Sequence, residues 1–250
     1  MQSKNKSTHQ TKTWLCVLMI LPLYAKAAHP LVTEDAGLQG LNGQQMELNA
    51  DQWRAETKTS RISSLTYTYG LSERTDIFAT LPRNWLNPSG MGDVSLGQKS
   101  LLTENANVSW AWKSEIFFPT GSTQKGLTTS SHDLALTLIR TSRNTNTILH
   151  SNLALVLREF DTDLDKLDRR QTIWRASSAG LYALNQEWQV VADVAISQAE
   201  MRADKTLPVQ FVLGMIYSPN SKLDLDWGIR QWRHQRAIDT YLGMGMAKRF

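Results

Sequence analysis

The sequence predicts an all-β protein, an antiparallel up-and-down transmembrane β-barrel of about 12 strands that follows a cleaved signal peptide. Three observations predict it. The first residues have the layout of an export leader. Segment after segment alternates apolar and polar side chains with a period of two, while the mean hydropathy of the chain stays negative. The links between these segments alternate between short and long.

The leader carries Lys4, Lys6 and Lys12 with no acid, then an apolar stretch from Trp14 to Tyr24, then the small-x-small triplet Ala25-Lys26-Ala27. This is the pattern of a signal peptide over residues 1–27, with the mature chain starting at Ala28. Pro22 interrupts the apolar stretch, which is shorter than the roughly 20 residues a spanning helix needs. Cys16 follows Trp14 and Leu15, where a lipoprotein site has small residues, so no lipid anchor is expected. Beyond residue 27 there is no cysteine, hence neither a disulfide framework nor a thiolate metal site. The formal charge of +4 is that of Lys4, Lys6, Lys12 and Lys26, and the remainder is neutral. A nucleic-acid partner, which the basic precursor suggests, is therefore not expected. No linker divides the rest, which reads as an N-terminal periplasmic or lumen segment over 28–43 and one barrel domain over 44–250.

The strands follow in order. Met46, Leu48 and Ala50 open the sheet, and Leu65, Tyr67 and Tyr69, then Ile77, Ala79 and Leu81, form the next short apolar faces. Val94 and Leu96 oppose Asp93 and Lys99; Val108, Trp110, Trp112, Ile116 and Phe118 oppose Lys113 and Glu115. Leu134, Leu136 and Leu138 come next, then Leu149, Leu153, Leu155 and Leu157 against His150, Asn152 and Arg158. Trp188, Val190, Val194 and Ile196 oppose Gln189 and Asp193. The clearest alternation is C-terminal: Val209, Phe211, Leu213, Met215 and Tyr217, then Leu223, Leu225, Trp227 and Ile229 against Asp224, Asp226, Gly228 and Arg230. Leu242, Met244, Met246 and Phe250 close the series. A period of two belongs to a strand and not to an amphipathic helix.

Links at 71–74, 103–107, 142–146, 185–187 and 218–222 are short, and those at 83–91, 119–130, 161–170 and 198–206 are longer. Outer-membrane barrels have short periplasmic turns and long external loops. A soluble sandwich or lipocalin-like barrel also alternates, but its tryptophans would be buried, whereas Trp110, Trp174, Trp188 and Trp227 stand near strand ends, where membrane girdles place aromatics. Phe250, preceded by alternate apolar residues, has the form of an assembly signal for the barrel-assembly machinery.

Chemical motifs are sparse. His29, His132, His150 and His234 include no pair with metal-ligand spacing, so no metal and no cofactor is expected. His150 and Ser151 are adjacent, hence on opposite faces of a strand, and cannot act as base and nucleophile. The Gly121–Leu127 stretch has phosphate-loop glycines with Leu127 where the lysine should stand. Asp161, Asp163, Asp165 and Asp168 are neutralised by Lys166, Arg169 and Arg170, which favours a solvated or lipopolysaccharide-facing loop over a calcium site.

Several phrases have a family's order: AHPLVTEDAGLQGLNGQQMELN at the predicted mature start, the hairpin LTYTYGLSERTDIFATLP, GMGDVSLGQKSLL, FFPTG, and finally FVLGMIYSPNSKLDLDWGIRQ with GMGMAKRF. From about His29 to Phe250 the chain resembles the family of putative MetA-pathway of phenol degradation proteins. The resemblance implies an outer-membrane barrel with a transport role and no catalytic motif. The expected function is a channel or transporter for small, hydrophobic or aromatic solutes in the outer membrane of a Gram-negative bacterium, surrounded by lipid and lipopolysaccharide. Asp93, Lys99, Lys113, Glu115, Asp193, Asp224, Asp226 and Arg230 would line or plug its lumen. A closed structural or adhesive barrel and an outer-membrane hydrolase are the alternatives.

Overall fold

The computed structural model describes residues 29–54, 59–128, 130–160, 163–234 and 237–250; the predicted signal peptide and Asp161 lie outside them. Twelve long strands run through the described residues: β1 (Gln44–Arg54), β2 (Thr59–Ser72), β3 (Thr75–Leu86), β4 (Val94–Glu104), β5 (Val108–Phe118), β6 (Asp133–Arg143), β7 (Thr147–Arg158), β8 (Thr172–Ala183), β9 (Trp188–Ser197), β10 (Val209–Asn220), β11 (Leu223–His234) and β12 (Ala237–Arg249). Each pairs antiparallel with its neighbour in sequence, and β1 pairs with β12 from Gln45↔Arg249 to Arg54↔Thr240, which closes the sheet into a barrel. Strands of 10 to 14 residues are long enough to cross a hydrocarbon layer at a tilt.

The polarity is inverted relative to a soluble barrel. Leu153, Leu213, Phe211 and Met244 are more than half exposed on the outside, while Asp76, Asp193, Asp224, Asp226 and Thr141 are buried inside. Outward apolar side chains face one another across the ladders, as at Leu136↔Leu155 and Leu138↔Leu153. Aromatics gather near the ends of the strands. Trp188 stacks on Tyr217 at 4.6 Å and meets Trp227 edge-on at 5.6 Å toward the short-turn end. At the opposite end Trp85 donates to Ser63 Oγ at 2.8 Å, with the Arg83 guanidinium 4.5 Å over its ring. These are the two interfacial positions at which amphipathic rings are favoured.

The five links read as short fall at one end and the four read as longer at the other, where the brief links 55–58 and 235–236 also lie. Among the long ones, residues 87–93 fold back so that Gly90 and Met91 pair with Asn84 and Arg83. Pro82, which has no N–H to give, stands where β3 passes from β4 to this returning loop and accepts from Gly92 N–H at 3.1 Å. Residues 159–171 include a short helix, Asp163–Asp168.

Eleven strands match the faces read from the sequence, and β8 is the exception. Its inward residues Ile173, Ala179 and Leu181 are buried and apolar, and its outward row has small residues between Trp174 and Tyr182. The contrast between its faces is too weak to show as alternation.

A closed sheet has no free edge at which to unzip. Unheated protein in detergent is therefore expected to migrate apart from boiled protein on a gel. Identical mobility, with recovery in the soluble periplasmic fraction, would rule the barrel out.

Candidate functional site

The lumen is occupied by the chain's own residues 29–43, which run across it before turning into β1. Three features of the wall hold them there.

The first is a row of inward glycines. Gly214 faces Gly228 and Gly228 faces Gly243 across consecutive ladders. A Cβ at Gly214 or Gly228 would come within 2.7 or 2.8 Å of Pro30 Cγ, and one at Gly243 within 2.9 Å of His29 Cε1. Only a wall bare of side chains lets His29-Pro30 lie against it. At the other end of the segment, a Cβ on Gly70 would overlap the carbonyl of Gly40. The chain passes there because Asn42 N–H donates to Gly70 O at 2.9 Å and Gly70 N–H to Gly43 O at 2.8 Å.

The second is a set of inward acceptors aimed at the segment's main chain. Asp193 on β9 takes Val32 N–H at 2.7 Å and Thr33 N–H at 2.9 Å on one oxygen and the Thr33 hydroxyl at 2.7 Å on the other. Thr141 on β6 accepts from Ala36 N–H and Asp76 on β3 from Gln39 N–H, both at 2.9 Å. Buried N–H groups outside a sheet need such partners, and charged acceptors make the stronger bonds.

The third is charge. The His29 imidazole bonds to Asp226, with Asp51 at 3.7 Å; burial alone would lower its pKa, but these two carboxylates carry it up to about 9. Lys113 bridges Glu34 of the segment at 2.5 Å and Glu115 of the wall at 3.2 Å. Burial pushes the Glu34 carboxyl up, yet Lys113 and Lys99 outweigh it and bring it down to about 2. The Lys99 ammonium donates to Asp35 O at 3.2 Å. Leu31 adds an apolar contact, packed with Ile148, Ala179, Leu181, Val191 and Ile216.

Seven of the eight residues expected in the lumen point into it. Lys99, Lys113, Asp193 and Asp226 engage the segment directly, and Glu115 does so through Lys113. Arg230 donates to Asp51 at 3.2 Å, and Asp224 pairs with Arg249 at 2.7 Å. Asp93 differs, because it precedes β4 at the long-loop mouth, where its carboxylate accepts from Gly121 N–H at 3.0 Å. Phe250 lies on the outside, 60 % exposed, its N–H bonded to Gln44 O at 3.0 Å beside the seam. Asp51, Asp76 and Thr141 were not singled out by sequence; their inward parity was the available signal. His150 lies 2.9 Å from Thr141 Oγ1 inside, while Ser151 meets Ser178 Oγ on the other face, so the two do not form a nucleophile and base.

The segment leaves two cavities. One of about 220 Å³ lies against β1–β4, lined by Gln45, Glu47, Thr66, Asp76 and Lys99. The other, about 420 Å³, lies toward the long loops between β5–β9 and Trp232, with Val32 and Glu34 as its floor. Glu34 and Lys113 line both, so this ion pair stands between them.

Among solved structures, the fold is similar to the COG4313 outer membrane channel from Pseudomonas putida F1, with a TM-score of 0.69 at 13% identity, over 86% of this chain and 98% of that one. It is similar to the NanC porin, at 0.62 and 8% over 81% and 98% of the two chains. It is also similar to the Pseudomonas putida toluene transporter TodX, at 0.51 and 10% over 90% and 94%. No curated protein sequence matches the chain significantly. The family model described as "Putative MetA-pathway of phenol degradation" matches residues 38–249, and the chain belongs to that family.

Proposed function

We propose that the protein is an outer-membrane channel of a Gram-negative bacterium that passes small solutes, apolar and aromatic ones among them, and that residues 29–43 stopper its lumen at rest. The observation that carries this reading is the segment across the lumen, bonded to the wall by side chains with a cavity on either side. A barrel that served only as a rigid or adhesive body would gain more from direct pairing of wall residues, because every buried acceptor that waits for a separable partner is a stability liability. The neighbouring folds include a channel, a porin and a toluene transporter, which supports transport over hydrolysis. Purified protein reconstituted in planar bilayers is expected to give discrete openings. Silence from both the intact barrel and one lacking the segment would return the closed, non-transporting barrel.

Assembly is a separate part of the proposal. Phe250 presents an exposed ring beside the β1–β12 seam, with Lys248 Nζ 5.5 Å over it. Phe250→Asp is expected to lower the yield of assembled barrel well beyond the roughly 0 to 1 kcal/mol that a charge costs near the interface, and Phe250→Tyr to restore it. Equal yields of heat-modifiable protein from all three chains would remove the assembly role.

A further inference from the structure

We infer that the cavity on the long-loop side of the segment is a binding site for a small aromatic carboxylate, with the Arg175 guanidinium as the group that takes its charge. This names a solute class for the channel proposed above and rests on that reading.

The argument starts from charge pairing. Among the described residues, three cations line the cavity: Lys113, Arg158 and Arg175. Lys113 is engaged by Glu34 and Glu115. Arg158 is engaged by Asp133 at 3.4 Å and Glu200 at 3.1 Å, and Arg169 shares Glu200 at 3.1 Å. The four carboxylates of the cavity are thereby all facing cations. Arg175, inward on β8 between Ala154 and Ser197, has no hydrogen bond or ion pair among the described residues and stays exposed to the lumen. The other described cations of the cavity are matched to acids, and this one lines it without a bonded partner. A guanidinium presents a planar fork that fits a carboxylate through two parallel hydrogen bonds.

The rest of the lining says what the carboxylate is attached to. Phe117, Val156, Ile173, Pro208 and Trp232 surround the same space, a set of rings and branched side chains suited to a flat apolar body. The cavity volume of about 420 Å³ falls in the ordinary range of small-molecule sites. A single ring bearing a carboxylate satisfies both features; an inorganic anion leaves the apolar wall unused, and a neutral arene leaves Arg175 unpaired.

The test uses full-length protein in detergent and 4-fluorobenzoate observed by fluorine NMR. Saturable broadening that excess benzoate reverses and excess acetate does not is expected. Arg175→Gln should weaken this binding about tenfold or more, and Arg175→Lys less, since charge is kept and the fork lost. Arg140→Gln, an outward residue over Trp110, should bind as wild type does. The neutral probe 4-fluorobenzyl alcohol should bind more weakly and equally to wild type and Arg175→Gln. Equal affinity of wild type and Arg175→Gln for 4-fluorobenzoate overturns the site, as does displacement by acetate. Because binding is read without transport, a barrel that binds the probe yet never conducts would leave the site standing and remove the channel.

Discussion

Deleting residues 29–39 while keeping the leader and β1 is expected to turn a barrel that opens rarely into one that conducts steadily, with mean conductance higher on the order of tenfold, as for a pore whose constriction is removed. The wall keeps its own pairing: the β1–β12 seam, the Asp224–Arg249 and Asp51–Arg230 contacts and the Lys113–Glu115 pair involve no atom of the segment. The shortened protein should therefore remain heat-modifiable, which separates opening from unfolding. The same geometry makes opening depend on pH. His29 has its pKa raised from the ordinary 6.5 to about 9, so its hold on the wall is complete below about 6.5 and is lost as pH rises through 9. Glu34 is shifted the other way, so its contribution is present above about 4.5 and is lost as pH falls through 2. More frequent openings are thus expected above pH 9 than at pH 7. A conductance unchanged by the deletion would mean that the pathway does not run through the lumen.

Asp193→Ala should have the next largest effect. It removes the acceptor of three hydrogen bonds from Val32 and Thr33. Bonds to a charged acceptor contribute about 1.5 to 3 kcal/mol each and these three are coupled, so a loss of about 3 kcal/mol is a conservative figure, roughly a hundredfold in the ratio of unseated to seated segment. Beyond residue 27 the chain has no cysteine, which makes the ratio measurable. In a Leu31→Cys background the thiol is buried when the segment is seated and open to a water-soluble maleimide when it is not. Asp193→Ala should speed labelling strongly, and Asp193→Asn, which keeps one oxygen, should fall between. Equal labelling rates in all three would show that Asp193 does not retain the segment.

The barrel was legible in the sequence because the membrane imposes a contrast on each strand. Leu223 to Arg230 alternates cleanly since one face meets lipid and the other carries Asp224, Asp226 and Arg230, whereas Val209 to Tyr217 shows its outer apolar row although Val212 and Ile216 turn inward. Where the inner face has another task the signal fades, and β8 escapes notice because Ile173, Ala179 and Leu181 turn apolar groups inward, two of them against Leu31. Arg175, on the same strand, was missed for the same reason. Parity was enough to place Lys99, Lys113, Glu115, Asp193, Asp224, Asp226 and Arg230 inside. It could not reveal what they hold, because the partners are main-chain N–H groups that no residue type announces, and Val32 lies 161 residues from Asp193. The glycines at 214, 228 and 243 carried the missing information, as inward positions in neighbouring strands where side chains are withheld.

That the wall grips residues 32, 33, 36 and 39 chiefly by their amides gives the lumen the character of a peptide receptor turned upon its own chain. A receptor that reads amides is indifferent to most of what the amides carry. Val32 and Gln39 are free to drift in identity, provided the chain keeps its path and the narrow passage at Pro30 stays narrow. The tail of a relative, grafted before β1, would then seat as well as the native one where it keeps the side chains the wall does bind, His29, Leu31 and Glu34. Selection on such a device acts on the wall, where Asp193, Thr141, Asp76 and the bare glycine row define the slot, and in the chain that fills it chiefly on His29, Leu31 and Glu34.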